Sequence, residues 1–109
     1  MKVCIYGLGA IGGLLAARLA ARGEVQLSAI ARGTTLQTLR DHGLSFIEGP
    51  PDQAQQQRYD LRASDNPADL GVQDVVILSV KTTALPDVAA RIAPLLGPDT
   101  TILSAMNGV

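Results

Sequence analysis

The chain has 109 residues, of which 47% are hydrophobic and 17% charged, and its formal net charge is -1. That is the length of one domain, long enough to bury a core without staples, and the composition argues against disorder. A near-neutral charge and three aromatic side chains (Tyr6, Phe46, Tyr59) argue against a nucleic-acid partner, which needs a basic field or a base-stacking platform.

Val3 to Tyr6 is a short apolar run ended by Gly7, the pattern of a buried strand. From Ala10 to Arg22 the spacing becomes helical, with Ile11, Leu14, Leu15 and Leu19 on one face, Arg18 and Arg22 off it, and Gly23 as the stop. Val25 to Ala31 alternates as a second strand, with Gln26 and Ser28 on its polar side. Thr34 or Thr35 can cap a second helix that turns Leu36 and Leu39 inward and ends at Gly43. Leu44 to Glu48 reads as a strand, Gly49 to Asp52 as a break, and Gln53 to Gln57 as a polar connection. Tyr59, Leu61 and Ala63 alternate with charged residues, as in a half-exposed strand at an edge or in a hairpin. Val75 to Val80 does not alternate and reads as a central parallel strand. A helix over Asp87 to Leu96, stopped by Gly97-Pro98, and a last strand at Thr101 to Ser104 complete the order. Alternating strands and helices predict an α/β fold: a doubly wound, mostly parallel sheet with helices on both faces, over residues 1–109.

No run of about 18 apolar residues is present, so no membrane partner is expected. Gly7 comes too early for a secretory apolar core, which makes the cytoplasm the expected location. Cys4 reads as a small buried hydrophobe, and His42 alone cannot anchor a metal, so no metal site is expected.

Gly7-Leu8-Gly9-Ala10-Ile11-Gly12 is Gly-x-Gly-x-x-Gly, and it sits where its physics applies, between an apolar strand and an apolar helix. Gly7 permits the tight turn, Gly9 lets the backbone approach a pyrophosphate, and Gly12 lets helix and strand lie close. The free amides and dipole at the helix start favour an anion. Gly12 and Gly13 each weaken an exposed helix by about 0.8–1 kcal/mol relative to alanine, and close backbone contact is the simplest reason for both. An NAD site carries an acid about 20 residues on, at the end of the second strand. Here that place reads Ala31-Arg32-Gly33, with no carboxylate between Val25 and Arg40. Arg32 sits where a 2′-phosphate would lie, so the expected cofactor is NADP, with Thr34 and Thr35 as further donors. At the carboxyl edge of the sheet, Lys81 follows the buried run and Asn107-Gly108 follows the last strand. Lys81 could meet a nicotinamide ribose or an acidic substrate, or be a solvated lysine at a strand end.

These pieces together resemble the amino-terminal cofactor domain of the ketopantoate reductase (2-dehydropantoate 2-reductase) family. The matching segments are the glycine turn, Ala31-Arg32-Gly33 running into Leu36 to Leu44, Val76 to Lys81, and Asn107-Gly108-Val109. Met106 stands where the family often has glutamine. The resemblance implies NADPH-dependent reduction of a 2-keto acid, ketopantoate to pantoate in pantothenate biosynthesis. It assigns Arg32 to the adenosine 2′-phosphate, Lys81 and Asn107 to the nicotinamide end, and Asn107 also to substrate. It places the proton-donating lysine and a partner glutamate in a second, helical domain, expected to be absent from these 109 residues. No catalytic residue is therefore expected here, and the chain alone should bind NADP(H) without turnover. The surface where that domain would dock is expected to favour self-association. Two other readings stay open: a non-catalytic NADP-sensing module, and the cofactor domain of another hydroxyacid dehydrogenase.

Overall fold

In a computed structural model that describes residues 1–8, 10–48 and 55–105, the first apolar run forms β1 (Lys2–Tyr6). It is followed by α1 (Ala10–Arg22), β2 (Gln26–Ile30) and α2 (Gly33–His42). β3 (Leu44–Glu48) and β4 (Gln55–Tyr59) come next, then β5 (Arg62–Ser64), β6 (Val75–Leu78), α3 (Leu85–Arg91) and β7 (Thr101–Ser104). Five strands form one sheet in the order β5-β2-β1-β6-β7, and every neighbouring pair in it is parallel. Numbered within that sheet by chain order, the strands run third, second, first, fourth, fifth. The order reverses between β1 and β6, the switch point at which open α/β sheets place their ligands.

Both faces of β1 are covered. Val3 and Ile5 pack with Ala16, Ala17, Leu36 and Leu39 on the α1–α2 side. Cys4 and Tyr6 pack with Val76, Val88, Ile92 and Leu95 on the α3 side. Each fully buried aliphatic side chain here, Ile5 and Leu95 among them, contributes about 1.5–3 kcal/mol. The doubly wound fold is thus as expected, and α1 runs over the expected residues. Leu15 and Leu19 pack against the core and Arg18 and Arg22 are exposed. The side chains of Ile11 and Leu14 lie outside the described residues.

Several elements differ from their expectation. The two polar residues of β2 differ: Gln26 is exposed at the strand's start, while Ser28 is buried with its hydroxyl 3.4 Å from the Val3 carbonyl oxygen, because helices cover both faces of the sheet there. α2 begins at Gly33 with Arg32 at its N-cap and no side-chain capping bond, so neither Thr34 nor Thr35 caps it. Gly43 does end it, at φ 72, its N–H donating to the Leu39 carbonyl at 3.0 Å. Gln55 to Gln57, read as connection, belong to β4, which pairs antiparallel with β3 in register Leu44↔Tyr59. Glutamine has little intrinsic strand preference, so the ladder, not propensity, makes this strand. The alternation from Tyr59 to Ala63 spans two elements, because the chain leaves the hairpin at Asp60 and joins the main sheet beside β2 as β5. The helix read over Asp87 to Leu96 is α3 followed by a 3-10 turn at Ala93–Leu95. Pro94 has no N–H to continue the α-helical ladder and its ring crowds the carbonyl four residues back. Its apolar stripe survives the break, with Val88, Ile92 and Leu95 buried. The break read at Gly49 to Asp52 lies outside the described residues.

Candidate functional site

The carboxyl ends of β1, β2 and β6 meet at one edge of the sheet. Gly7 leaves β1 at φ 93, a conformation that favours glycine, and its N–H donates to the Ile30 carbonyl at 2.9 Å, tying the ends of β1 and β2 together. Beside it, the Ser79 N–H donates to the Tyr6 carbonyl at 2.9 Å and so ties in the end of β6. A Cβ at Gly7 would lie 2.6 Å from Val80 Cγ1 and 2.8 Å from the Ser79 carbonyl oxygen. Gly12, in the first turn of α1, is as tightly held: its Cβ would lie 2.5 Å from the Gly7 carbonyl oxygen and 2.7 Å from Ser79 Oγ. Two glycines thus allow turn, helix start and the end of β6 to close on one another, as the motif requires. Gly13 differs from its expectation. Among the described residues nothing lies within 4 Å of a Cβ built there, so close contact does not explain it. Gly9 lies outside the described residues. Ala10 and Ile11 open α1, their side chains likewise outside the description.

A cleft of about 130 Å³ opens over this turn, lined by Tyr6, Gly7, Leu8, Ala31, Arg32 and Val80 among others. Arg32 enters it from the end of β2, as read from the sequence. Its guanidinium is engaged, however: Nη2 donates to Asp87 Oδ2 at 2.6 Å. The same carboxylate oxygen lies 4.0 Å from Arg91 Nη1, one helical turn along α3, and Arg91 Nη2 donates to the Asp65 carbonyl at 2.7 Å. Both partners of the Arg32–Asp87 pair are substantially exposed, at 62% and 47% of the side chain. A pair that open to water contributes little to stability and separates easily. Thr35 also lines the cleft.

Lys81 stands at the same edge, exposed, just after β6. Its carbonyl accepts the Ala84 N–H at 2.8 Å and starts a short 3-10 turn at Thr82–Ala84. It does not line the cleft that holds Arg32. Asn107 lies outside the described residues.

Two groups here were not singled out from the sequence. Asp87 reads there as an ordinary acid in a helix's first turn, and no local signal joins it to Arg32. Tyr6 is 3% exposed, and its hydroxyl oxygen has no hydrogen-bond partner among the described residues. Burial pushes its pKa up; the charges of Arg91 and Arg32 pull it down, and Asp87 raises it. Cys4 is fully buried, and burial raises its thiol to about 11, which keeps it protonated and inert at neutral pH. Among the described residues no group of three or more His, Cys, Asp or Glu is placed to hold a metal ion, and no helix is long and apolar enough to cross a membrane.

The parallel sheet, the reversal in strand order and the glycine turn at that reversal define an α/β domain of the Rossmann class. The model of the family Ketopantoate reductase PanE/ApbA matches residues 3–109, and the chain belongs to that family of oxidoreductases. A 2-dehydropantoate 2-reductase of Mesorhizobium japonicum is 41% identical over 109 residues, which are 100% of this chain and 32% of that protein. The crystal structure of a ketopantoate reductase homologue from Ralstonia solanacearum MolK2 is 50% identical with a TM-score of 0.88, over 98% of this chain and 32% of that one. The 2-dehydropantoate 2-reductase of Porphyromonas gingivalis W83 is 31% identical with a TM-score of 0.75, over 94% of this chain and 37% of the other. The chain therefore spans about a third of the length of the relatives it matches.

Proposed function

We propose that the chain binds NADP(H) and is the coenzyme-binding part of a 2-keto acid reductase acting on 2-dehydropantoate, in the cytoplasm, on the route to pantothenate. The observation that carries this reading is that Gly7 and Leu8, which open the glycine turn, and Arg32 line one cleft at the switch point. The fit is of the right kind. Cβ atoms at Gly7 or Gly12 would fill the space that lets the turn close, and the start of α1, with no acid in its first turn, offers amides and a positive dipole end to a diphosphate. Arg32 supplies a planar fork for the 2′-phosphate, and Lys81, with Asn107, is assigned to the nicotinamide end. The chemistry supplied with the reduced coenzyme is hydride donation to the keto carbon. The residues of this chain bind and orient. The proton donor is proposed to lie outside these residues, so the 109 residues alone bind coenzyme without turnover. Asn107 is proposed also to touch the keto acid. Ile102 and Leu103 on the edge strand β7, about half exposed, support self-association of the chain when alone.

The test is fluorescence titration with NADPH and NADH of the chain and of Arg32→Ala. Loss of a charge-assisted contact worth about 1.5–3 kcal/mol weakens NADPH roughly tenfold to a hundredfold and leaves NADH nearly unchanged. Equal loss for both, or none, removes the role given to Arg32. NADPH oxidation by the isolated chain on adding ketopantoate would contradict the assignment of the acid elsewhere.

A further inference from the structure

We propose that Asp87 is a specificity-determining residue of the coenzyme site, a built-in carboxylate that holds the place of the 2′-phosphate on Arg32 and so keeps the preference for NADPH over NADH small. The inference rests on the reading of Arg32 as the 2′-phosphate partner. Sites that take NAD have an acid at the end of the second strand to accept the ribose hydroxyls, and sites that take NADP have a cation there. Here β2 ends in Ala31-Arg32, with the cation in line, and the acid comes from elsewhere. α3 carries Asp87 across the end of the sheet, 55 residues away in sequence, to within 2.6 Å of Arg32 Nη2. The end of β2 therefore presents both chemistries at once, a guanidinium for a phosphate and a carboxylate for a ribose diol.

The surroundings fit exchange better than a rigid clamp. The pair is half open to water, so it costs little to part. When an anion takes the fork of Arg32, the Asp87 carboxylate keeps a second cation, Arg91, one turn along its own helix and already 4.0 Å away. Arg91 is anchored independently through the Asp65 carbonyl and stays in place as Asp87 turns to it. The Tyr6 hydroxyl, buried without a partner among the described residues, lies in the field of the same three charges. A phosphate at Arg32 thus displaces one carboxylate and remains near it, and each effect subtracts from the affinity for NADPH alone.

The experiment is titration of the protein and of Asp87→Asn with NADPH and NADH, with Arg32→Ala alongside. Removing one opposing charge at a half-exposed site tightens NADPH by roughly three- to tenfold, leaves NADH unchanged or weaker, and steepens the salt dependence of NADPH binding. If Asp87→Asn weakens NADPH, the carboxylate positions Arg32 and the proposal is wrong. If the ratio of the two affinities does not move, the proposal is equally wrong. Arg32→Ala separates this from the underlying reading: if it leaves the NADPH-to-NADH ratio untouched, the 2′-phosphate is not at Arg32, whatever Asp87→Asn does. Asp87→Ser, which also removes the charge, repeats the comparison if the asparagine variant folds poorly.

Discussion

Gly12 and Gly13 are neighbours in α1 and identical in chemistry, yet the structure gives alanine opposite consequences at the two positions. At Gly12 the new Cβ would meet the Gly7 carbonyl oxygen at 2.5 Å and Ser79 Oγ at 2.7 Å. Ser79 can rotate its hydroxyl away, but the carbonyl belongs to the turn and cannot. Restoring an ordinary contact of about 3.5 Å moves α1 off the turn by roughly 1 Å, an overpacking strain of about 1–3 kcal/mol. At Gly13 no described atom lies within 4 Å of the added methyl, so only helix propensity acts, in favour of alanine by about 0.8–1 kcal/mol. The propensity gain is common to both variants and cancels in their difference, which isolates the steric cost. Gly13→Ala should therefore exceed Gly12→Ala by about 1–3 kcal/mol, on the order of 5–20 °C in Tm for a domain this small. Thermal unfolding of the two variants side by side measures it. Under the proposed function, NADPH titration should show Gly13→Ala binding like the parent and Gly12→Ala binding weakly. Equal Tm values, or a more stable Gly12→Ala, would refute the close approach of helix, turn and β6 on which the site is built.

Two further outcomes follow from buried polar groups. Tyr6→Phe removes a buried hydroxyl that has no partner among the described residues, so unfolding in urea should show the variant as stable as the parent or more so, by up to about 1–2 kcal/mol; a loss of 1 kcal/mol would mean that the hydroxyl is bonded after all. Cys4 carries a pH dependence: its thiol is held at about 11 in the fold against an ordinary 9.0. The fold favours the protonated form, so this contribution is intact below pH 9 and is lost as pH rises through about 11, to the extent of roughly 2–3 kcal/mol. Unfolding free energy measured from pH 8 to 11.5 should fall more steeply in the parent than in Cys4→Ala, and parallel curves would contradict the assigned cause.

What could be read from the residues depends on whether the cause of a structure is local. β1 and α1 are written in runs that end on Gly7 and Gly23, and β6 in an unbroken apolar run, all signals that act within a few residues, and they form within two residues of where the sequence places them. Asn66-Pro67 is an equally local signal, since an Asn cap followed by proline starts a helical turn, and the Asn66 side chain accepts the Ala68 N–H at 3.1 Å. β4 could not be read in this way. Apart from Tyr59 its residues have little preference for a strand, and its existence depends on the ladder it makes with β3.

The same distinction separates the two halves of the candidate site. The glycine turn is a covalent neighbour of the strand and helix it joins, so its spacing carries its geometry, and Arg32 is legible because β2 must end beside Gly7 once the two strands pair in parallel register, with Tyr6 opposite Ile30. Asp87 has no such tether. It reaches Arg32 only after β6 has taken its place on the other side of β1 and α3 has packed Val88, with Ile92 just past its end, against the opposite face of the sheet. Along the chain no acid lies between Val25 and Arg40, so the residues around the end of β2 present Arg32 without its carboxylate partner. Charge at a sheet edge is a property of all the strands that end there. At a switch point the balance of one strand end is set in part by the helix that follows its neighbour, and under the proposed function coenzyme preference is better judged from the Arg32–Asp87–Arg91 cluster than from Arg32 by itself.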